Sequence, residues 1–146
     1  MKEDVIKASN SIFTEMTAEF FENYPRLEKF GWTQYTPYFN DGDTCEFSAN
    51  IDYGISINDS DYAEDEDWYS ERNIKSHGTF NRVTRQYEGR VDEPNPKFDK
   101  ELVEITKDIK EFLKHFDNDF YKSQFGDHAR VIVSRSGVNV DEYDHD

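Results

Sequence analysis

Between Cys45 and Ile57 the chain alternates apolar and polar residues. Cys45, Phe47, Ala49, Ile51, Tyr53, Ile55 and Ile57 fall on odd positions, and Thr44, Glu46, Ser48, Asn50, Asp52, Ser56 and Asn58 on even ones. That period of two predicts a long strand with one face buried. An earlier run, "GWTQYTPYF", is separated from it by "NDGD". Asp-Gly at 41–42 supplies the positive backbone angles of a tight hairpin, so a first strand is expected to turn back there. Pro37 marks that first strand as an edge or as locally irregular, and Gly54 marks a bulge or bend.

Helical periodicity occurs twice. Ile12, Phe13, Met16, Phe20, Phe21 and Tyr24 predict an amphipathic helix over 4–24, ended by Pro25. Leu102, Ile105, Ile109, Phe112, Leu113, Phe116 and Phe120 predict a second long helix over 97–122, opened by Asn95-Pro96. A shorter helix is expected over about 62–76. Asp61 and Glu64 resemble a capping box there, acids crowd the first turns, and Arg72 and Lys75 lie near the end. "TFNRVTRQYEGRV", 79–91, reads as one strand with Val83, Arg85, Tyr87 and Val91 on one face, and "HARVIVSRSGVNV" reads as two strands around Ser136-Gly137. The order is α-β-β-(α)-β-α-β-β. It predicts an α+β domain over 1–140, with a single antiparallel sheet of about four to five strands packed on two long helices. An acidic tail over 141–146 follows.

Charge adds a second layer. The formal net charge is −15. Residues 1–70 carry 4 Lys/Arg against 16 Asp/Glu, 71–98 carry 6 against 4, and 99–146 carry 7 against 12. A field of this sign repels nucleic acid and anionic membrane and attracts basic surfaces. Direct nucleic-acid binding and membrane association are therefore not expected. One cysteine, Cys45, permits no internal disulfide and suits a reducing compartment. Its inward parity predicts a buried, inert thiol. The first residues lack the apolar run of a secretory leader, and no stretch nears the ~20 apolar residues of a membrane span. A cytoplasmic protein is expected.

The motifs of catalysis do not assemble. His77, His115, His128 and His145 show no metal-ligand spacing, and the acids of "NDGD" lack the offsets of a calcium loop. No glycine-rich phosphate loop, nucleophile elbow or H-E-x-x-H occurs. No catalytic residue, metal or cofactor is assigned. Carboxylate pairs abound, but close pairs arise by chance among 32 acids.

"GWTQYTPYFNDGDTCEFSANID", together with the ending "VIVSRSGVNVDEYDHD", resembles a family of small acidic proteins of bacteria and tailed phages that carry the motif W-T-Q-Y-T-P-Y-F-N-D-G-D. The resemblance covers about a quarter of the chain. It implies a phage or bacterial source, hence the host cytoplasm if phage-encoded, and it transfers no catalytic residue.

Two charged segments are the candidate sites. The first is "DSDYAEDEDWYSERN", where Asp59, Asp61, Glu64, Asp65, Glu66 and Asp67, supported by Asp41 and Asp43, form an acidic surface for a basic protein partner. Seven acids lie in 58–71. On a helix rising ~1.5 Å per residue they fall about 3 Å apart, near the ~3.4 Å phosphate repeat of a DNA strand. The sharpest reading is a non-enzymatic DNA mimic that inhibits a host nucleic-acid-binding or defence protein; it requires 62–76 to be helical. The second segment is basic: Arg72, Lys75, Arg82, Arg85 and Arg90 beside Tyr87. It offers an anion or nucleotide site, or it neutralises the acidic run next to it. A housekeeping domain whose acidity serves solubility is a third reading.

Overall fold

The computed structural model describes residues 2–37, 45–52 and 54–143, with side chains from Asn10 onward. Helix α1 spans Lys2–Asn23 and stops before Pro25, as the proline requires. Strand β1, Lys29–Tyr35, is the central strand of the main sheet. It pairs antiparallel with β8 (Ala129–Ser134) on one side and with β2 (Ser48–Ala49) and β3 (Ser56–Ile57) on the other. β9, Gly137–Glu142, pairs with β8 and forms the far edge. Four further strands stand apart: β4 (Arg72–Ser76) pairs with β7 (Val91–Pro94), and β5 (Thr79–Asn81) with β6 (Gln86–Glu88). Helices α2 (Lys100–Leu113) and α3 (Asn118–Phe125) complete the chain order. Among the described residues the arrangement is mixed α+β with three helices and antiparallel strands, in one five-stranded sheet and two two-stranded ribbons rather than a single sheet.

The long alternating strand is broken, but its parity survives. Tyr35 faces Ser48 and Gln34 faces Ala49, whereas Gly31 faces Ser56 and Phe30 faces Ile57. The register therefore shifts by four residues between β2 and β3. A shift by an even number returns the same side chains to the same face. Ile51, Ile55 and Ile57 are buried accordingly, and Phe47 and Ala49 pack partly against the core. Cys45 is half-buried instead of buried. Gly54, at φ 114°, allows the chain to leave and rejoin the ladder. The expected Asp41-Gly42 turn lies outside the described residues. Asp141 and Glu142, expected in the tail, are the last residues of β9.

The second long helix is two helices. Periodicity is continuous through 97–122, but two aspartates interrupt it. Asp99 caps α2 by accepting the Leu102 amide, and Asp117 caps α3 by accepting the Phe120 amide. An N-cap aspartate satisfies amides that a continuing helix would bond, so it starts a new helix where it stands. The break lets Phe116 and Phe120 stack at 4.7 Å and lets α3 swing its aromatics onto Phe13. Phe13 touches Trp32, Phe112, Phe116, Phe120 and Phe125, and this cluster is the centre of the core between sheet and helices.

One buried carboxamide runs through that core. Gln34 is fully buried; its oxygen accepts the Trp32 indole N–H at 2.9 Å, and its NH2 donates to the carbonyls of Tyr121 at 2.9 Å and Gly126 at 2.7 Å. Gln34→Leu keeps comparable bulk but strands one donor and two acceptors. A loss of at least about 2 kcal/mol is expected, since each unmet buried group costs about 1–3 kcal/mol. Gly31 is a second constraint: a Cβ there would lie 2.3 Å from the Val131 carbonyl oxygen and 2.6 Å from Ile132 Cδ1. Gly31→Ala should cost about 1–3 kcal/mol by overpacking. Urea denaturation of the two variants checks both, and an unchanged midpoint would contradict the assignment.

Candidate functional site

The acidic segment does not form the expected helix. Only a 3₁₀ turn over Ala63–Asp65 forms, and Arg72–Ser76 is strand β4. Tyr62 occupies the cap position and makes no side-chain cap bond. Like charges at helical spacing (Asp61 with Asp65, Glu64 with Asp67) oppose the helix locally, and the pairing of β4 with β7 takes the rest of the backbone. The phosphate-spacing argument required a helix here, so its geometric basis is absent.

Several of the acids are already engaged. Glu64 meets Lys110 at 2.8 Å, Asp67 meets Lys97 at 3.2 Å, Asp59 meets Lys29 at 3.5 Å and Asp61 approaches Arg130 at 3.9 Å. These cations come from β1, β8, α2 and the residues before α2, so the loop is held across the body by charges far away in sequence. Exposed pairs of this kind contribute little individually, about 0–1 kcal/mol. Glu66 is half-buried, Asp65 is exposed, and no cation among the described residues pairs with either. Asp41 and Asp43 lie outside the described residues. Trp68 packs on the core and its carbonyl accepts the Asp99 amide, which anchors the loop's end.

The basic segment is where structure and expectation part most. Residues 79–91 are not one strand. Asn81 accepts the amides of Val83 and Thr84 through its side chain and that of Arg85 through its carbonyl. This turn folds β5 back on β6 and puts Arg82, Val83 and Arg85 at its tip, with Arg85 at φ 60°. Phe80 and Tyr87 then face each other across the ribbon at 5.2 Å. The two ribbons β4–β7 and β5–β6 follow end to end, interrupted by two residues on each side. Gly78 is required at the joint, because a Cβ there would meet the Glu88 carbonyl oxygen at 2.0 Å. The whole of 71–94 is an arm: it has no buried residue, and Asn81 alone is half-buried.

The arm's cations do not neutralise the acidic run. Among Arg72, Lys75, Arg82, Arg85 and Arg90, only Arg90 reaches a carboxylate among the described residues, Asp92 of the arm itself, at 3.1 Å. Ile74, Phe80, Val83, Tyr87 and Val91 are exposed by 43–93%. The arm is rooted by Asn95, a buried residue that the sequence marks only as a helix start. Its NH2 donates to the Asp67 and Ser70 carbonyls, both at 2.7 Å, and its backbone amide donates to the Glu71 carbonyl. Asn95-Pro96 signals that start, but nothing in the sequence marks the asparagine as the clamp between both ends of an excursion.

Three concavities among the described residues are lined by residues outside the arm. One of about 470 Å³ runs between α1 and the end of β8 and start of β9. One of about 450 Å³ lies on the helix-free face of the sheet, lined by Thr33, Tyr35, Pro37, Ser48, Asn50, Tyr62 and Tyr143. A smaller one of about 260 Å³ sits against the acidic loop near Trp68 and Asn58. The stretch "WTQYTP" thus alternates: Trp32 and Gln34 enter the core, while Thr33, Tyr35 and Pro37 border the open-face concavity. No group of three or more metal-ligating side chains occurs among the described residues, and no described helix is long and apolar enough to cross a membrane. Comparison of the chain with protein-family models, curated proteins and solved structures gave no match.

Thr36, between those two faces, is pinned by Asp127, whose carboxylate accepts its amide at 2.8 Å and its hydroxyl at 2.7 Å. Partial burial pushes this carboxyl up, but the Thr36 bonds and the His128 amide outweigh it and hold it below the ordinary aspartate range. A depressed carboxyl contributes fully above the unfolded value and loses that contribution as pH falls through the folded one. The stability difference between the parent and Asp127→Asn should therefore be largest at neutral pH and close as pH falls below about 4. Denaturation midpoints across pH check this; a gap independent of pH would refute it.

Proposed function

We propose that the protein is a non-enzymatic binding protein that touches its partner with the arm 71–94. The observation that carries this reading is the exposure of the arm on all sides. A two-stranded ribbon with no core beneath it gains little stability of its own. This one nevertheless presents five large apolar side chains and, among the described residues, four cations that meet no carboxylate. Apolar and charged groups left uncovered on a free ribbon mark a surface awaiting a partner. The cations give that partner its sign: it is acidic. The reading of the basic segment as a neutraliser of the acidic run requires its cations to meet those acids, whereas a nucleotide clasp of Arg82, Arg85 and Arg90 around Tyr87 would be formed by the arm alone. None of the three concavities described is lined by a residue of 71–94.

A second reading keeps contact on the acidic loop, with a basic protein surface as partner. Asp65 and Glu66 support it, since neither is neutralised among the described residues. One experiment separates the two. Residues 77–90 are replaced by an Asn-Gly turn, and in a second variant Asp65 and Glu66 are changed to Asn and Gln. Both should fold, with melting points within a few degrees of the parent, because no core residue is touched. Affinity capture from expressing cells should then recover a salt-sensitive partner with the parent and the loop variant and none with the tip replacement. Retention of the partner without the tip would refute the arm reading.

A further inference from the structure

We propose that the acidic partner of the arm is a second copy of this chain, and that the arm lies along the face formed by α1 and the edge strand β9. The inference rests on the reading of the arm as the contact element and names what it contacts.

Charge comes first. The arm 71–94 holds five Lys/Arg and four acids, but its cations gather in 72–90 with one acid, Glu88, whereas the chain outside 72–90 holds 12 Lys/Arg and 31 acids. The molecule thus carries both halves of a complementary pair, and its geometry keeps them apart within one copy. The acidic loop, which adjoins the arm in sequence, is engaged by Lys29, Lys97, Lys110 and Arg130. Complementary fields on two copies draw them together in a way that salt weakens.

The receiving face is identified by what it leaves open. Among the described residues β9 is the last strand of its sheet, and one side of its backbone meets no partner strand there. Exposed edges are usually blunted by lysine, proline or a bulge. β9, "GVNVDE", has no lysine or proline, and its six-residue register with β8 is unbroken. Val138 and Val140 stand opposite Val133 and Val131, hence on the helix side of the sheet, yet they are 48% and 43% exposed. Beside them runs the 470 Å³ groove, lined by Phe13, Phe21, Val133 and Val138 among others. On α1, Ile12 and Met16 are also exposed. Acids lie around it: Glu22 lines the groove, Glu15 and Glu19 are exposed elsewhere on α1, and Glu142 shares the helix side of β9 with the valines while Asp141 points to the other side; no Lys or Arg occurs on β9 or among the described side chains of α1. Arg135 also lines the groove and carries a positive charge there. Its guanidinium is bonded to the carbonyls of Tyr24, Pro25 and Leu27 and lies over the Phe21 ring.

The arm fits this face in kind. A ribbon has free strand edges that can extend the sheet past β9, the usual mode of strand addition. Phe80, Tyr87 and Val91 supply apolar surface for the valines and the groove, and Arg82 and Arg85 supply counter-charges for the acids around it. The arm is about as long as the ~20–30 residues per side of a stable interface. A nucleic acid would also meet the cations, but the acidic body behind the arm repels it.

Sedimentation equilibrium of the full chain tests the proposal, with three variants: Arg82→Glu with Arg85→Glu on the arm, Glu22→Lys with Glu142→Lys on the face, and all four together. Glu15→Lys with Glu19→Lys serves as an independent face variant if the β9 change impairs folding. The parent should self-associate, less so at high salt. Each single-sided reversal should raise the dissociation constant at least about tenfold, or ~1.4 kcal/mol, and the four-fold variant should recover most of the loss. A parent that stays monomeric over the concentration series would overturn the proposal. So would association indifferent to both reversals, or an arm that binds an oligonucleotide while the chain stays monomeric. If the parent is monomeric yet still captures an arm-dependent partner from cells, this inference alone fails and the reading of the arm stands.

Discussion

The side chain of Gln34 holds the main sheet to the helices. It sits on the central strand, fully buried, and every polar atom it has is matched: the oxygen by Trp32, the two N–H groups by the carbonyls of Tyr121 and Gly126. A buried amide of this kind is tolerated only when satisfied, and its partners are then fixed as firmly as it is. Tyr121 and Gly126 mark the middle and the end of α3, so the carboxamide sets where that helix stops. One residue on, Asp127 takes the backbone and hydroxyl of Thr36 and closes the end of β1 against the start of β8. The position of α3 in turn brings Phe120 and Phe125 onto Phe13. Most of the core follows from these few bonds.

The charges obey a different logic from the one their order suggests. Acid-rich and base-rich segments lie next to each other in the chain, and neutralisation between neighbours is the simplest arrangement. The fold instead turns the basic segment outward as a ribbon and binds the acids to cations on β1, β8 and α2. A protein with a formal charge of −15 therefore displays its clearest concentration of unneutralised positive charge at the end of an arm. This separation is the observation on which the proposed contact through the arm rests.

Some elements were legible because local physics dictates them. The first helix follows from its apolar stripe and Pro25, and the final hairpin follows from two alternating runs around Ser136-Gly137. The inward parity of residues 47–57 is also readable, and it survives the four-residue excursion because that excursion is even in length. Elements that depend on a competing side chain were not legible. Asp117 breaks a helix that periodicity runs straight through, and Asn81 turns a strand whose alternation shows no interruption. In both cases one short polar side chain captures backbone amides that a regular element would have used.

The candidate surfaces divide in the same way. The sequence alone determined which residues carry charge, that the positive ones are clustered, and which apolar positions could share a face. It could not determine the partner of any charge. Ion pairing depends on distance in space, and the cations that engage the acidic loop are separated from it by tens of residues along the chain. Nor could it show that the end of the expected helix, 72–76, would pair with 91–94 as a strand. Strand pairing is non-local, and the free energy of that ribbon lies in residues the helix signal never samples. Tertiary structure alone therefore decided that the acids are held and the arm is free.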